Sequence, residues 1–117
     1  HMRLSTPLAR WLHKRLVHRY RNASLLDSYS FLFSSVQRDS GLLNNKRMSA
    51  NVSALDAALD ELRAEGVLIN IQSEKRFKGR RLADVHYSVY ATSEFTSEVK
   101  AASARLNQSQ RQLAGKR

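Results

Sequence analysis

Apolar positions recur at three- and four-residue spacing through Leu8, Trp11, Leu12, Leu16 and Tyr20, the stripe that one face of a helix collects. Ser5-Thr6-Pro7 precedes them with a hydroxyl cap and a proline suited to the first turn, so a helix is expected up to about Tyr20. Arg10, His13, Lys14 and Arg21 fall on its wetter face. Residues 22–28 are polar and turn-favouring and read as a connection. Tyr29, Phe31 and Phe33 then alternate with smaller residues, as in a short strand, while 32–38 fits a short helix ended near Gly41 equally well. A brief strand leading into a short helix is the favoured reading.

Residues 43–46 read as a turn. From Ser49 to Glu65 the spacing of Val52, Leu55, Leu59 and Leu62 predicts the clearest helix of the chain, with Gly66 where a left-handed cap is wanted. Residues 67–72 and 83–90 then alternate as two strands, through Ile69 and Ile71 and through Val85, Tyr87 and Val89. They predict a hairpin whose tip is a basic loop from Lys75 to Arg81. Phe95, Val99, Ala102 and Leu106 predict a final amphipathic helix that fades after Asn107 into a frayed tail. The fold class is therefore α+β, in the order helix, short strand or helix, helix, hairpin, helix.

At 117 residues and 42% apolar composition the chain is sized for one domain. His1-Met2 reads as a cloning remnant, so the chain is expected to be a piece of a longer protein. Residues 3–92 are expected to form the domain and 93–117 a C-terminal helix with a basic tail.

Charge sharpens this picture. The chain carries 20 Lys+Arg against 10 Asp+Glu, a net +10 that attracts polyanions over a Debye length of roughly 8 Å. The balance is uneven: residues 1–54 sum to +7, 55–66 to −3, and 67–92 and 93–117 to +3 each. Cysteine is absent, which removes disulfides and thiolate chemistry and suits a reducing cytoplasm. No apolar run is long enough for a membrane span, and no leader opens the chain.

With Val52, Leu55, Leu59 and Leu62 pointing inward, Lys46, Ser49, Ala50, Ser53 and Ala57 fall on the outward face of the central helix. Small side chains let a helix enter a major groove about 12 Å wide, where Asn, Ser, Lys and Arg reach base edges or phosphates. Lys46 and Arg47 add charge at the positive end of the helix dipole. Asp56, Asp60, Glu61 and Glu65 lie in the second half, which would tip away from phosphates; ordinary solvation of a helix face is the plain alternative. Lys75, Arg76, Lys78, Arg80 and Arg81 surround Phe77 and Gly79, a density of like charge that calls for a neutralising partner unless the loop is simply solvated. The candidate DNA contacts are thus Lys46, Arg47, Ser49, Asn51 and Ser53, the five loop cations, and Lys14 and Arg21 from the first helix.

Enzymatic readings lack support. His13 and His18 are five apart, off the spacing that puts two ligands on one helix face, and His86 is remote in sequence. Neither a glycine-rich phosphate loop nor a nucleophile turn occurs. No catalytic residue, metal or cofactor is expected.

Residues 5–16, Ser5-Thr6-Pro7-Leu8-Ala9-Arg10-Trp11-Leu12-His13-Lys14-Arg15-Leu16, and the run from Ala57 to Leu68 resemble the winged-helix domains of plasmid replication initiators, the iteron-binding group. The resemblance implies a winged helix that binds repeated origin DNA in a sequence-specific way. It further implies two such domains per chain, a monomer–dimer equilibrium, replication-machinery partners and a bacterial cytoplasmic location at nucleoid or plasmid. Only one such unit is visible, as in a fragment. By this likeness Lys46, Arg47, Ser49 and Ser53 match the start of the reading helix, and 75–81 match the wing. Two rival expectations stand: a dimerisation or interaction module using the helix from Phe95 to Leu106, and RNA binding, for which only Phe77 offers an aromatic surface.

Overall fold

The computed structural model describes residues 4–21 and 28–114. Its elements are α1 (Pro7–Tyr20), β1 (Tyr29–Leu32), α2 (Phe33–Ser40), α3 (Met48–Ala64), β2 (Leu68–Lys78), β3 (Arg81–Ala91) and α4 (Ser93–Ala114). Among the described residues the fold is α+β, four helices with one antiparallel sheet of order β1-β3-β2.

Local chemistry explains each boundary. The Thr6 hydroxyl accepts from Ala9 N–H at 3.1 Å and opens α1, and Leu8, Leu12, Leu16 and Tyr20 are buried along its predicted stripe. Trp11 stays half-buried, with the Arg15 guanidinium 5.0 Å above its ring. The strand-then-helix reading of 29–40 is what the structure contains, and Gly41 ends α2 at φ +65° while its N–H donates to the Gln37 carbonyl. At the end of α3, Gly66 takes φ +79°, its N–H donates to Arg63 and Val67 N–H donates to Leu62. That pairing is a Schellman motif, and it turns the chain directly into β2.

The core lies between the helices and one face of the sheet: Val52, Leu55, Leu59 and Leu62 of α3 meet Leu12 and Leu16 of α1 and Val85, Tyr87 and Val89 of β3. Phe31 stacks on Tyr87 with ring centroids 5.3 Å apart. α4 joins through Phe95 and Val99, which are buried, and Phe95 packs edge-on against His13 and Tyr20. His13, expected on a wet face, is thus half-buried, and burial holds its imidazole below the ordinary histidine range. Ala102, expected in the buried stripe of α4, is exposed, and the side chain of Leu106 lies outside the described residues. Among the described residues no helix is long and apolar enough to cross a membrane.

The largest departure is the hairpin. Residues 75–81, expected as a loop, are strand except for a two-residue turn at Gly79 and Arg80. The apolar inner row of β3 fixes the register, and β2 follows it, with register shifts after Leu68 and after Arg76, until Lys78 stands opposite Arg81. Gly79 at φ +65° occupies the first turn position, the place where a tight hairpin requires glycine.

Candidate nucleic-acid interface

The approach to α3 is firmly held. Leu43, expected in a turn, is 2% exposed and anchors the 41–47 connection in the core. Asn51 then clasps that connection from the helix: its Nδ2 donates to the Asn45 carbonyl and its Oδ1 accepts from Asn45 N–H, both at 2.9 Å. Asn51 is 4% exposed, so it leaves the set of candidate contacts; its amide is engaged inside the protein. The signal was present in the sequence, because Asn51 lies on the same helical row as Leu55, Ala58 and Leu62. Asn51→Ala is expected to lower stability by about 1–3 kcal/mol, since it strands the Asn45 backbone groups. Thermal unfolding checks this, and an unchanged midpoint would contradict the clasp.

Lys46, Arg47, Ser49 and Ser53 remain exposed. Ser49, Ser53 and Asp56 form one row of α3, and the Asp56 carboxylate accepts a 2.8 Å hydrogen bond from the Tyr87 hydroxyl of β3. Asp56, expected to be solvated, is therefore a tether to the sheet. Burial, and secondly this carboxylate, push the Tyr87 phenol far above its usual range. The tether turns the Ser49–Ser53 row toward the hairpin. Two of the other three acids are engaged too: Asp60 binds Arg63 at 2.9 Å and Glu61 accepts from Ser5 N–H.

Two ties set the direction of α3 along the sheet. At its C-terminal end, Thr92 donates through N–H to the Val67 carbonyl and through its hydroxyl to that of Gly66, which puts the end of β3 beside the end of α3. At its middle, Asp56 meets Tyr87. α3 and β3 therefore run the same way, and the start of the helix and the tip of the hairpin lie toward one end of the molecule. From these contacts the helix rises about 12 Å to Met48 and the strand about 20 Å to Arg81, so the tip projects beyond the helix start.

Register sorts the hairpin cations. Lys75 pairs with buried Val85, and so shares the face that carries the helices; Arg76 pairs with Asp84 on the opposite face. Lys78 and Arg81 stand directly across from each other, a like-charge pair that disfavours the turn unless an anion screens it. The hairpin cations lie on both faces and at the tip, not in one loop cluster.

Asp84 has a structural role at the root of this hairpin. Its carboxylate accepts from Ser34 N–H at 3.1 Å, the Ser34 hydroxyl at 2.6 Å and Val85 N–H at 2.8 Å. Burial pushes the carboxyl up, but these hydrogen bonds and the Arg76 charge outweigh it, and the group sits below the usual 3.8. A depressed folded-state value contributes stability that is present above about 3.8 and is lost as pH falls through the folded value. Asp84→Asn is expected to flatten the loss of thermal stability between about pH 5 and pH 2. Identical acid limbs in the two proteins would contradict this role.

Of the candidates on α1, Arg21 does not join the set. Lys14 is exposed and lines a hollow with Pro7, Arg10, Trp11, Ser40 and Leu42. Arg21 follows Tyr20, which packs on Phe95 near the C-terminal end of α3, roughly 25 Å from its start. No protein-family model, no curated protein and no solved structure matches the chain.

Proposed function

We propose that the chain is a winged-helix domain that binds double-stranded DNA in a sequence-dependent way. The start of α3 lies in the major groove and the β2–β3 hairpin is the wing on the adjacent backbone. The element order α1-β1-α2-α3-β2-β3 supports the winged-helix reading. The observation that carries the DNA reading is the common direction of α3 and β3, which sets Lys46, Arg47, Ser49 and Ser53 at the same end as Lys75, Lys78, Arg80 and Arg81. One polyphosphate rod can then touch both. Ser49, Ser53 and Ala57, with half-buried Ala50 beside them, give the exposed arc of α3 the small profile that groove entry requires.

On the resemblance of residues 5–16 and 57–68, the domain belongs to a plasmid-type replication initiator and reads repeated origin sequence; its chemistry is recognition, not catalysis. Selection of bound duplexes from a random pool at two salt concentrations tests this. Enrichment of one short motif at both is expected, with weaker retention at the higher salt. Recovery of unenriched sequence would leave only nonspecific charge attraction and would contradict the reading.

A second reading has one observation in its favour. α4 runs for 22 residues, yet of its described side chains only Phe95, Thr96 and Val99 are buried. Self-association in sedimentation, with no shift on adding duplex, would favour an interaction module.

A further inference from the structure

Phe77 is 60% exposed although it sits in a strand, and the core packs without it. Its cross-strand partner is Leu82, which is half-buried against the core, and a register shift separates this pair from Arg76 and Asp84. That irregularity leaves Phe77 on the same face as Lys75, the face that carries α3. The ring thus stands near the tip of a projecting hairpin, on the side of the Ser49–Ser53 row, among Lys75, Lys78, Arg80 and Arg81. A phenyl ring in that setting gains little for the fold beyond its pairing with Leu82, and it is wasted on phosphates, which the cations already suit. It fits an apolar surface framed by phosphates, and the stacked bases inside a groove are such a surface.

Building on the duplex-binding reading above, we propose that Phe77 is a wedge: its ring enters the minor groove beside the site of α3 and partly unstacks one base step, bending the duplex. Size favours one ring over the whole hairpin. Two strands about 4.8 Å apart, with their side chains, exceed a minor groove about 6 Å wide, so the ribbon rides on the phosphate rims. A single flat ring passes between them. Apolar wedges of this kind kink DNA by roughly 20–90° toward the major groove. At the wedged step the major groove faces away from the protein, so the duplex bends away from the hairpin and its minor groove opens to receive the ring. Base steps that unstack easily, such as TA and CA, would be preferred under the ring, although no side chain reads them by hydrogen bonding.

The test uses a selected duplex carrying a donor and an acceptor dye at its ends, with 2-aminopurine scanned through the sequence. Wild-type protein is expected to shorten the end-to-end distance and to raise 2-aminopurine emission at one step. Phe77→Ala should abolish both signals and keep the salt slope, because the phosphate contacts remain; Phe77→Leu should retain part of the bend. Unchanged melting temperatures would show that both variants fold. A bend in Phe77→Ala equal to that of wild type would overturn the wedge and leave the interface intact. Complete loss of binding in a folded Phe77→Ala protein would also overturn it, by making the ring a docking anchor. Failure of the wild-type chain to bind any duplex would remove the reading on which the wedge rests.

Discussion

Replacing Lys75, Arg80 and Arg81 together with alanine is expected to weaken duplex binding by about 100-fold or more at physiological salt. The slope of log affinity against log salt should fall by about 0.9 for each phosphate contact removed. These side chains are exposed, so the loss falls on binding and not on folding. Arg76→Ala provides the contrast: its cross-strand neighbour is the Asp84 carboxylate, which already offsets its charge, and its effect should be smaller. Titrations at several salt concentrations check both. An unchanged slope in the triple variant would remove the hairpin from the interface, and an Arg76→Ala effect as large as the triple would contradict the offset of its charge by Asp84.

Leu55→Ala should produce one of the largest losses of stability among simple substitutions on α3. Leu55 is fully buried in the row that seats the helix on the core, and deleting such a side chain costs about 2–5 kcal/mol. For a domain of this size that lowers the melting temperature by on the order of 10 °C or more. The fraction that remains folded should bind duplex with nearly wild-type affinity, because Leu55 lies on the side of α3 away from Ser49 and Ser53. A small thermal shift would mean that the site collapses around the gap; a large loss of affinity in folded protein would mean that the seat of α3 tunes the reading surface directly.

Sequence pattern alone revealed the elements whose stability comes from burying one face. The α1 and α3 stripes, the strand-to-helix passage at 29–40 and the Gly66 cap were all legible, because apolar spacing and a left-handed glycine leave marks in the chain. The hairpin tip was not, because its strand character comes from pairing: Lys75 to Lys78 extend as strand by matching Val85 to Arg81, and charge density alone suggested a loop. Asn51 was misjudged for a related reason. Asparagine is common on surfaces, yet here its helical row points inward and a backbone partner at Asn45 satisfies its amide. The acidic half of α3 was visible as a charge block, but its engagement with Tyr87, Arg63 and Ser5 depends on partners 3 to 56 residues away. The loss of Arg21 from the set has the same origin, since helix phase gives exposure but not which end of a neighbour an exposed residue joins.

Because the chain has no cysteine, a single one can carry a cleaving iron chelate without interference. Ser53→Cys on α3 and Ala83→Cys on the hairpin are both exposed positions and change no charge. The account predicts that each protein cuts one bound duplex at a defined place, the Ala83 cuts displaced from the Ser53 cuts by about half of a 10-base-pair turn. Cuts from only one of the two positions, or cuts scattered along the duplex from both, would show that helix and hairpin do not meet the same DNA.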